Sequence, residues 1–214
     1  HGTNITLLNA ARKLDNSCYD LSGKVFVTAG LGGMSGAQPK ACVIAGGICV
    51  VAEINEKATV KRHQQKWVDE IYNDLSKLFK RVETARKNKE SISIAYQGNI
   101  VDCWEYIAAN NIEIELGSDQ TSLHNPYSGG YYPAGLSFDE SNEMIKNDPK
   151  KFKSKVQESL IRHVNAINKL TDKGMYFFDY GNAFLLESKK AGADITNDED
   201  EFKYPSYVQD IMGP

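Results

Sequence analysis

Residues 24–38 read KVFVTAGLGGMSGAQ, a β-branched run that empties into glycines and then into helix-forming residues. That junction constrains the chain more than anything else in it. A strand that stops at Gly30 and resumes as a helix beyond Gly36 spaces its glycines as Gly-x-Gly-x-x-x-Gly. Such glycines allow a tight turn, and they let an anionic ligand approach backbone N–H groups at the positive end of a helix with no side chain in the way. A second β-branched run, Gly47 to Ile54, follows after about a helix's worth of residues, so the opening unit is strand, helix, strand.

The alternation continues. Trp67, Ile71, Leu75, Leu78, Phe79, Val82 and Ala85 recur at three- and four-residue intervals, the pattern of one long amphipathic helix. Ser91–Gln97 is a third strand, Val101, Trp104, Ile107 and Ala108 mark a short helix, and Ile112–Gly117 reads as a fourth strand. Ser137 and Glu140 have capping-box spacing, Asp148-Pro149 opens a helix that runs to Gly174, and Tyr176–Gly181 is a fifth strand. Acidic residues 197–201 are expected to be solvated. Strands alternating with helices of this length predict an α/β fold, a Rossmann-like doubly wound, mostly parallel sheet with helices on both faces. The expected organisation is one domain over residues 1–214. It comprises a leading helix (1–23), the Gly-rich turn and strands (24–117), a ligand loop (118–135), then helices, the fifth strand and a C-terminal segment (136–214).

Composition limits the partners. With 41% hydrophobic and 25% charged residues the chain can build a core, and its net charge of −3 argues against nucleic acid or an anionic membrane as the main partner. No apolar run is long enough to span a bilayer. Cys18, Cys42, Cys49 and Cys103 form no Cys-x-x-Cys pair and suit a reducing cytoplasm. The chain begins at His1 without a leader, and excision from something longer is the favoured reading.

Glu53 ends the second strand, 23 residues past Gly30. A carboxylate there accepts hydrogen bonds from an adenosine ribose and repels a ribose phosphate, which favours NAD over NADP. Lys57 and Lys61 lie just beyond it and read as a solvated helix face. Other chemistries lack their residues. No Gly-Lys-Ser/Thr closes the turn as a P-loop would, and none of the 11 tyrosines has a lysine four positions later, as a short-chain dehydrogenase acid would. Ser122 and His124 lack a Gly-x-Ser-x-Gly elbow, so a hydrolase dyad is disfavoured. His63 and His163 fall in charged helical stretches and are expected at the surface. With no cluster of acids or histidines at ligand spacing, no metal is expected. The long polar loop from Ser118 to Gly135 follows a strand's carboxyl end, where ligands bind in open parallel sheets; it is either a wall of that site or an ordinary surface turn.

Three separated motifs go beyond a generic nucleotide turn: Val27-Thr-Ala-Gly-Leu-Gly-Gly-Met-Ser-Gly-Ala-Gln38, Asp119-Gln-Thr-Ser-Leu-His124 and Phe178-Asp-Tyr-Gly-Asn182. In this order they resemble the urocanate hydratase (urocanase) family, specifically its central NAD-binding domain, over nearly the whole chain. The resemblance implies a cytosolic homodimer that adds water to urocanate, giving imidazolone propionate in histidine breakdown. In that family tightly held NAD+ acts as an electrophile with no net redox. By motif match, Gly33, Met34 and Ser35 contact the pyrophosphate, Glu53 the adenosine ribose, and Gly98 with Asn99 the cofactor from the third strand's end. Gln120, Thr121, Ser122, Leu123 and His124 line the nicotinamide side, with Tyr131, Tyr132 and Tyr180 nearby. Two departures stand out. Many bacterial members carry an arginine where this chain has Ala58, so either Lys57 substitutes or that contact is absent. Family members also extend beyond both ends, and none of the four cysteines matches the catalytic one. The resemblance therefore implies no catalytic residue in this stretch and little or no hydratase activity from it alone. A rival reading is a non-catalytic module that uses the same glycines to sense the NAD/NADH ratio.

Overall fold

The computed structural model describes residues 2–33, 35–119 and 125–207. Helix α1 (Gly2–Leu14) leads into β1 (Val25–Ala29), α2 (Ala37–Ile44), β2 (Ile48–Glu53) and α3 (Glu56–Gln64). Then follow β3 (Glu70–Tyr72), α4 (Leu75–Lys87), β4 (Ile92–Gln97), α5 (Ile100–Ala109) and β5 (Leu116–Asp119). A 3-10 turn (Pro126–Ser128), α6 (Phe138–Asn147), α7 (Pro149–Thr171), β6 (Tyr176–Asp179) and α8 (Ala183–Lys190) complete the order. The six strands form one parallel sheet, ordered β3-β4-β2-β1-β5-β6. The fold is the expected Rossmann-like arrangement.

Period-two alternation divides each strand between two layers. Val25, Val27, Ile48, Val50, Ile92 and Ile94 point to the layer of α4, α5, α7 and α8, whose apolar stripes include Val82, Trp104, Val164 and Phe184. Phe26, Cys49, Val51, Ala95 and Phe178 point the other way, onto Leu7 and Ala11 of α1 and Cys42 of α2. Because both faces are covered, the strands carry near-continuous apolar runs rather than a polar alternation. All four cysteines are buried and unbridged, packed as small hydrophobes.

Two expectations about elements need correcting. The stretch read as one amphipathic helix is the turn that follows α3, the short strand β3 and most of α4. Lys66 takes a left-handed φ of 57°, and Asp69 locks the next strand onto β4, its N–H donating to the Ser93 carbonyl at 3.0 Å and its carboxylate accepting from Ser93 N–H at 2.9 Å. Three paired residues are too few to show a period, and the four-residue spacing of Trp67, Ile71 and Leu75 mimics a helix across the break. The strand expected at 112–117 pairs only from Leu116. Ile112 N–H still caps α5 through the Ile107 carbonyl, while the Glu115 carboxylate accepts Val25 N–H at 2.7 Å and pairs with Arg86, so the alternation there serves a connection. The capping box at Ser137 and Glu140 and the Asp148 cap of α7 form as read. The acidic stretch 197–201 is exposed, as expected.

Candidate nucleotide cleft

The carboxyl ends of β1, β2 and β4 converge on a small cleft of ≈ 60 Å³, open on one side and lined by Gly30, Glu53, Gly98, Asn99 and Tyr132. Gly30 closes β1 with a φ of 95°, a left-handed conformation that glycine adopts without strain. Its N–H donates to the Ala52 carbonyl at 2.9 Å, so the turn leaves the sheet only after that bond. Glu53 lines the cleft from β2, and both of its oxygens are held: Oε2 accepts Leu31 N–H at 2.8 Å and Oε1 accepts Asn55 N–H at 2.9 Å. A carboxylate has about four lone-pair positions, so two remain for a diol. Its orientation is set before any ligand arrives.

The third wall is Gly98 and Asn99. Gly98 N–H donates to the Glu53 carbonyl at 3.1 Å, and a Cβ at residue 98 would lie 2.5 Å from the Tyr96 ring, so any side chain there has to push that ring aside. Burial pushes the Tyr96 hydroxyl up to about 12, keeping it protonated. Asn99 caps α5 by accepting Val101 N–H at 2.8 Å and also donates to the Tyr132 carbonyl at 2.7 Å. One side chain thus ties the end of β4 to the loop after β5. Gly130, Tyr131 and Tyr132 close the cleft from that loop. The Tyr132 ring packs on Phe138, its hydroxyl donates to Asn142 Oδ1 at 3.1 Å, and burial, with Glu53 nearby, raises its pKa.

Behind this wall the sequence expectation fails for one histidine. His63 is exposed, as read, but His163 is fully buried under the sheet. On a 23-residue helix whose other face is charged, the position reads as surface, yet α7 packs this face against Phe184 and Tyr131. Its Nδ1 hydrogen-bonds the Tyr131 hydroxyl at 3.1 Å, and its Nε2 lies 3.8 Å from a carboxylate oxygen of Asp119. Loss of hydration pulls its pKa down to about 3, so burial exceeds the pull of that carboxylate and the ring is neutral.

A model of the urocanase Rossmann-like domain matches residues 1–211. The chain belongs to the urocanase family. It is 58% identical over 218 residues to a probable urocanate hydratase of Caenorhabditis elegans and 58% identical over 217 residues to one of Dictyostelium discoideum. It is 52% identical over 221 residues to the urocanate hydratase of Homo sapiens. Each alignment covers 100% of this chain and 32% of the relative, so the chain spans about a third of the length of these curated relatives. Among solved structures, an NAD-bound D-mannonate oxidoreductase from Haemophilus influenza, described as putative in its own name, aligns over 91% of this chain and 80% of its own. At a TM-score of 0.42 and 10% identity, that likeness has no bearing on the site.

Against the urocanase motifs, the structure gathers Glu53, Gly98, Asn99, Tyr131 and Tyr132 around one cleft, with Gly33 and Ser35 on the turn beside it. Gly33 is exposed and Ser35 buried. Tyr180 is on the other side of the sheet, its ring packed on Phe178 and Tyr207 in the layer of α1 and α2. Met34 and Gln120–His124 lie outside the described residues. Lys57 and Lys61 are exposed, as expected. The cation that sequence reading missed is Arg62, one turn beyond Ala58 on α3, whose side chain reaches the carbonyls of Leu31, Gly32 and Gly33. Nothing in the local sequence separates it from the solvated lysines beside it.

Proposed function

We propose that this chain is the NAD+-binding domain of a urocanate hydratase, the Gly-rich turn taking the diphosphate and Glu53 the adenosine ribose. The single observation that carries this reading is the Glu53 carboxylate. It is clamped by Leu31 and Asn55 N–H groups at the mouth of the cleft, between the Gly-rich turn and Gly98. The bare backbone of Gly30 and Gly98 and the held carboxylate of Glu53 line the same cleft, a set of groups that fits such a ligand. When bound, NAD+ supplies an electrophilic nicotinamide ring for hydration of urocanate to imidazolone propionate without net redox. The chain's own residues do the holding. Gly32 and Gly33 offer N–H groups to the diphosphate, Glu53 accepts the ribose hydroxyls and rejects a ribose phosphate by charge, and Asn99 keeps Tyr132 against the opening. Gly33, Met34 and Ser35 at the diphosphate, and Gln120, Thr121, Ser122, Leu123 and His124 with Tyr131 and Tyr132 at the nicotinamide, complete the proposed set. Tyr180 acts behind the sheet rather than in the cleft. We assign the substrate chemistry to protein outside this stretch, in a cytoplasmic homodimer, and expect no turnover from these residues alone.

The test is a thermal-shift titration with NAD+, NADH and NADP+, since a ligand that binds only the folded state raises its apparent stability. NAD+ should raise the melting temperature more than NADP+, and Glu53→Gln should shrink that difference. Equal shifts with NAD+ and NADP+ would overturn the assignment of Glu53. A strong preference for NADH would favour a redox sensor instead. Urocanate absorbance followed with the same protein should stay constant.

A further inference from the structure

The guanidinium of Arg62 is used almost completely, and mostly on one loop. Its Nε donates to the Leu31 carbonyl at 3.0 Å, and its Nη2 donates to the carbonyls of Gly32 at 2.5 Å and Gly33 at 3.2 Å. Its Nη1 donates to Gln65 Oε1 at 3.0 Å, and the group lies 4.7 Å from the centroid of the Trp67 ring. Gly36 has no side chain, and a Cβ there would sit 2.5 Å from Nε. The loop, the helix start and an aromatic plate together form a socket for one cation.

Three consecutive carbonyls turned toward one cation have a stereochemical consequence. In a trans peptide the C=O and the following N–H point in opposite directions across the plane, and the described chain contains no cis bond. Holding the Leu31 and Gly32 carbonyls on the α3 side therefore turns the Gly32 and Gly33 N–H groups to the other side of the turn. No acceptor among the described residues takes either N–H. The cation also neutralises the negative ends of the same peptide dipoles, leaving their positive ends to face an anion.

We infer that Arg62 is a positioning residue for the diphosphate, acting from behind the turn without touching the ligand. This rests on the reading that the turn receives a diphosphate. The test compares wild type with Arg62→Ala, Arg62→Lys and Gly36→Ala, each checked for a cooperative melt. NAD+ and ADP binding are measured by calorimetry and adenosine binding by NMR titration. Gly36 has helical backbone angles that alanine adopts freely, so its variant displaces the guanidinium without touching residue 62. Arg62→Ala and Gly36→Ala should weaken NAD+ and ADP by about tenfold or more while adenosine stays within about twofold. Lysine keeps the charge but not the planar fork, so Arg62→Lys should recover only part of the loss. Equal losses for ADP and adenosine would overturn the inference in favour of a merely structural arginine, and so would unchanged ADP binding in both displaced variants. Should Arg62→Ala not fold, the Arg62→Lys and Gly36→Ala affinities decide alone. Wild type that binds neither NAD+ nor ADP would overturn the nucleotide reading and the inference together, whereas intact wild-type binding with unaffected variants would overturn the inference alone.

Discussion

Acidification should unfold this protein partly through one ring. His163 is fully buried, and its pKa falls from an ordinary 6.5 to about 3. Below pH 6.5 the unfolded chain takes up a proton there that the native state refuses until about pH 3. The unfolded state then binds more protons, so stability falls as pH falls. Each pH unit inside that window costs about 1.4 kcal/mol, and moving from pH 7 to pH 5 crosses some one and a half of them, a loss of about 2 kcal/mol. Burial raises the pKa of Asp179 toward the span from pH 5 to pH 7, whereas Asp15 and Glu90, lowered by hydrogen bonds to Ser17 and Arg81, titrate below it. A difference measurement removes them. His163→Gln keeps an acceptor for the Tyr131 hydroxyl and cannot titrate, so urea denaturation of both proteins at pH 7, 6 and 5 isolates the ring. Wild type should lose about 2 kcal/mol more than the variant between pH 7 and 5. Parallel decline of the two proteins would refute the reasoning, and so would a His163 ring resonance that titrates near pH 6.

Two further substitutions probe the cleft walls. Gly98→Ala forces a Cβ to within 2.5 Å of the Tyr96 ring and should cost about 1–3 kcal/mol by overpacking, measured by thermal denaturation, with Tyr96→Leu in the same chain recovering much of it. Asn99→Ala removes both the α5 cap and the bond to the Tyr132 carbonyl and should cost about 1–2 kcal/mol. Asn99→Asp retains the cap but sets a carboxylate against that carbonyl, so amide exchange should speed up around Tyr132 while α5 stays protected.

What a sequence shows depends on how local the cause is. The Gly-rich turn, the acid at the end of β2 and the caps at Ser137 and Asp148 are each specified by a few neighbouring residues, and all stand where the pattern puts them. Strand β3 could not be read, because its three residues extend only through pairing with β4, which lies about twenty residues further on. His163 could not be read as buried, since its burial depends on α7 lying against Phe184 and Tyr131 from other parts of the chain. Tyr180 follows the same rule: the end of β6 turns its ring to the α1 and α2 side.

By itself, then, the order of apolar runs, glycines and capping residues determined an alternating parallel sheet with a nucleotide-type turn at its first strand, because hydrophobic period and backbone permissiveness are properties of adjacent residues. Tertiary structure alone decided that Arg62 would leave its helix face for the carbonyls of that turn, some thirty residues earlier in the chain, and that Asn99 would join the end of β4 to the loop bearing Tyr132. Hydrogen bonds between distant segments form only after the layers have packed, and no local pattern encodes which donors that packing brings within reach.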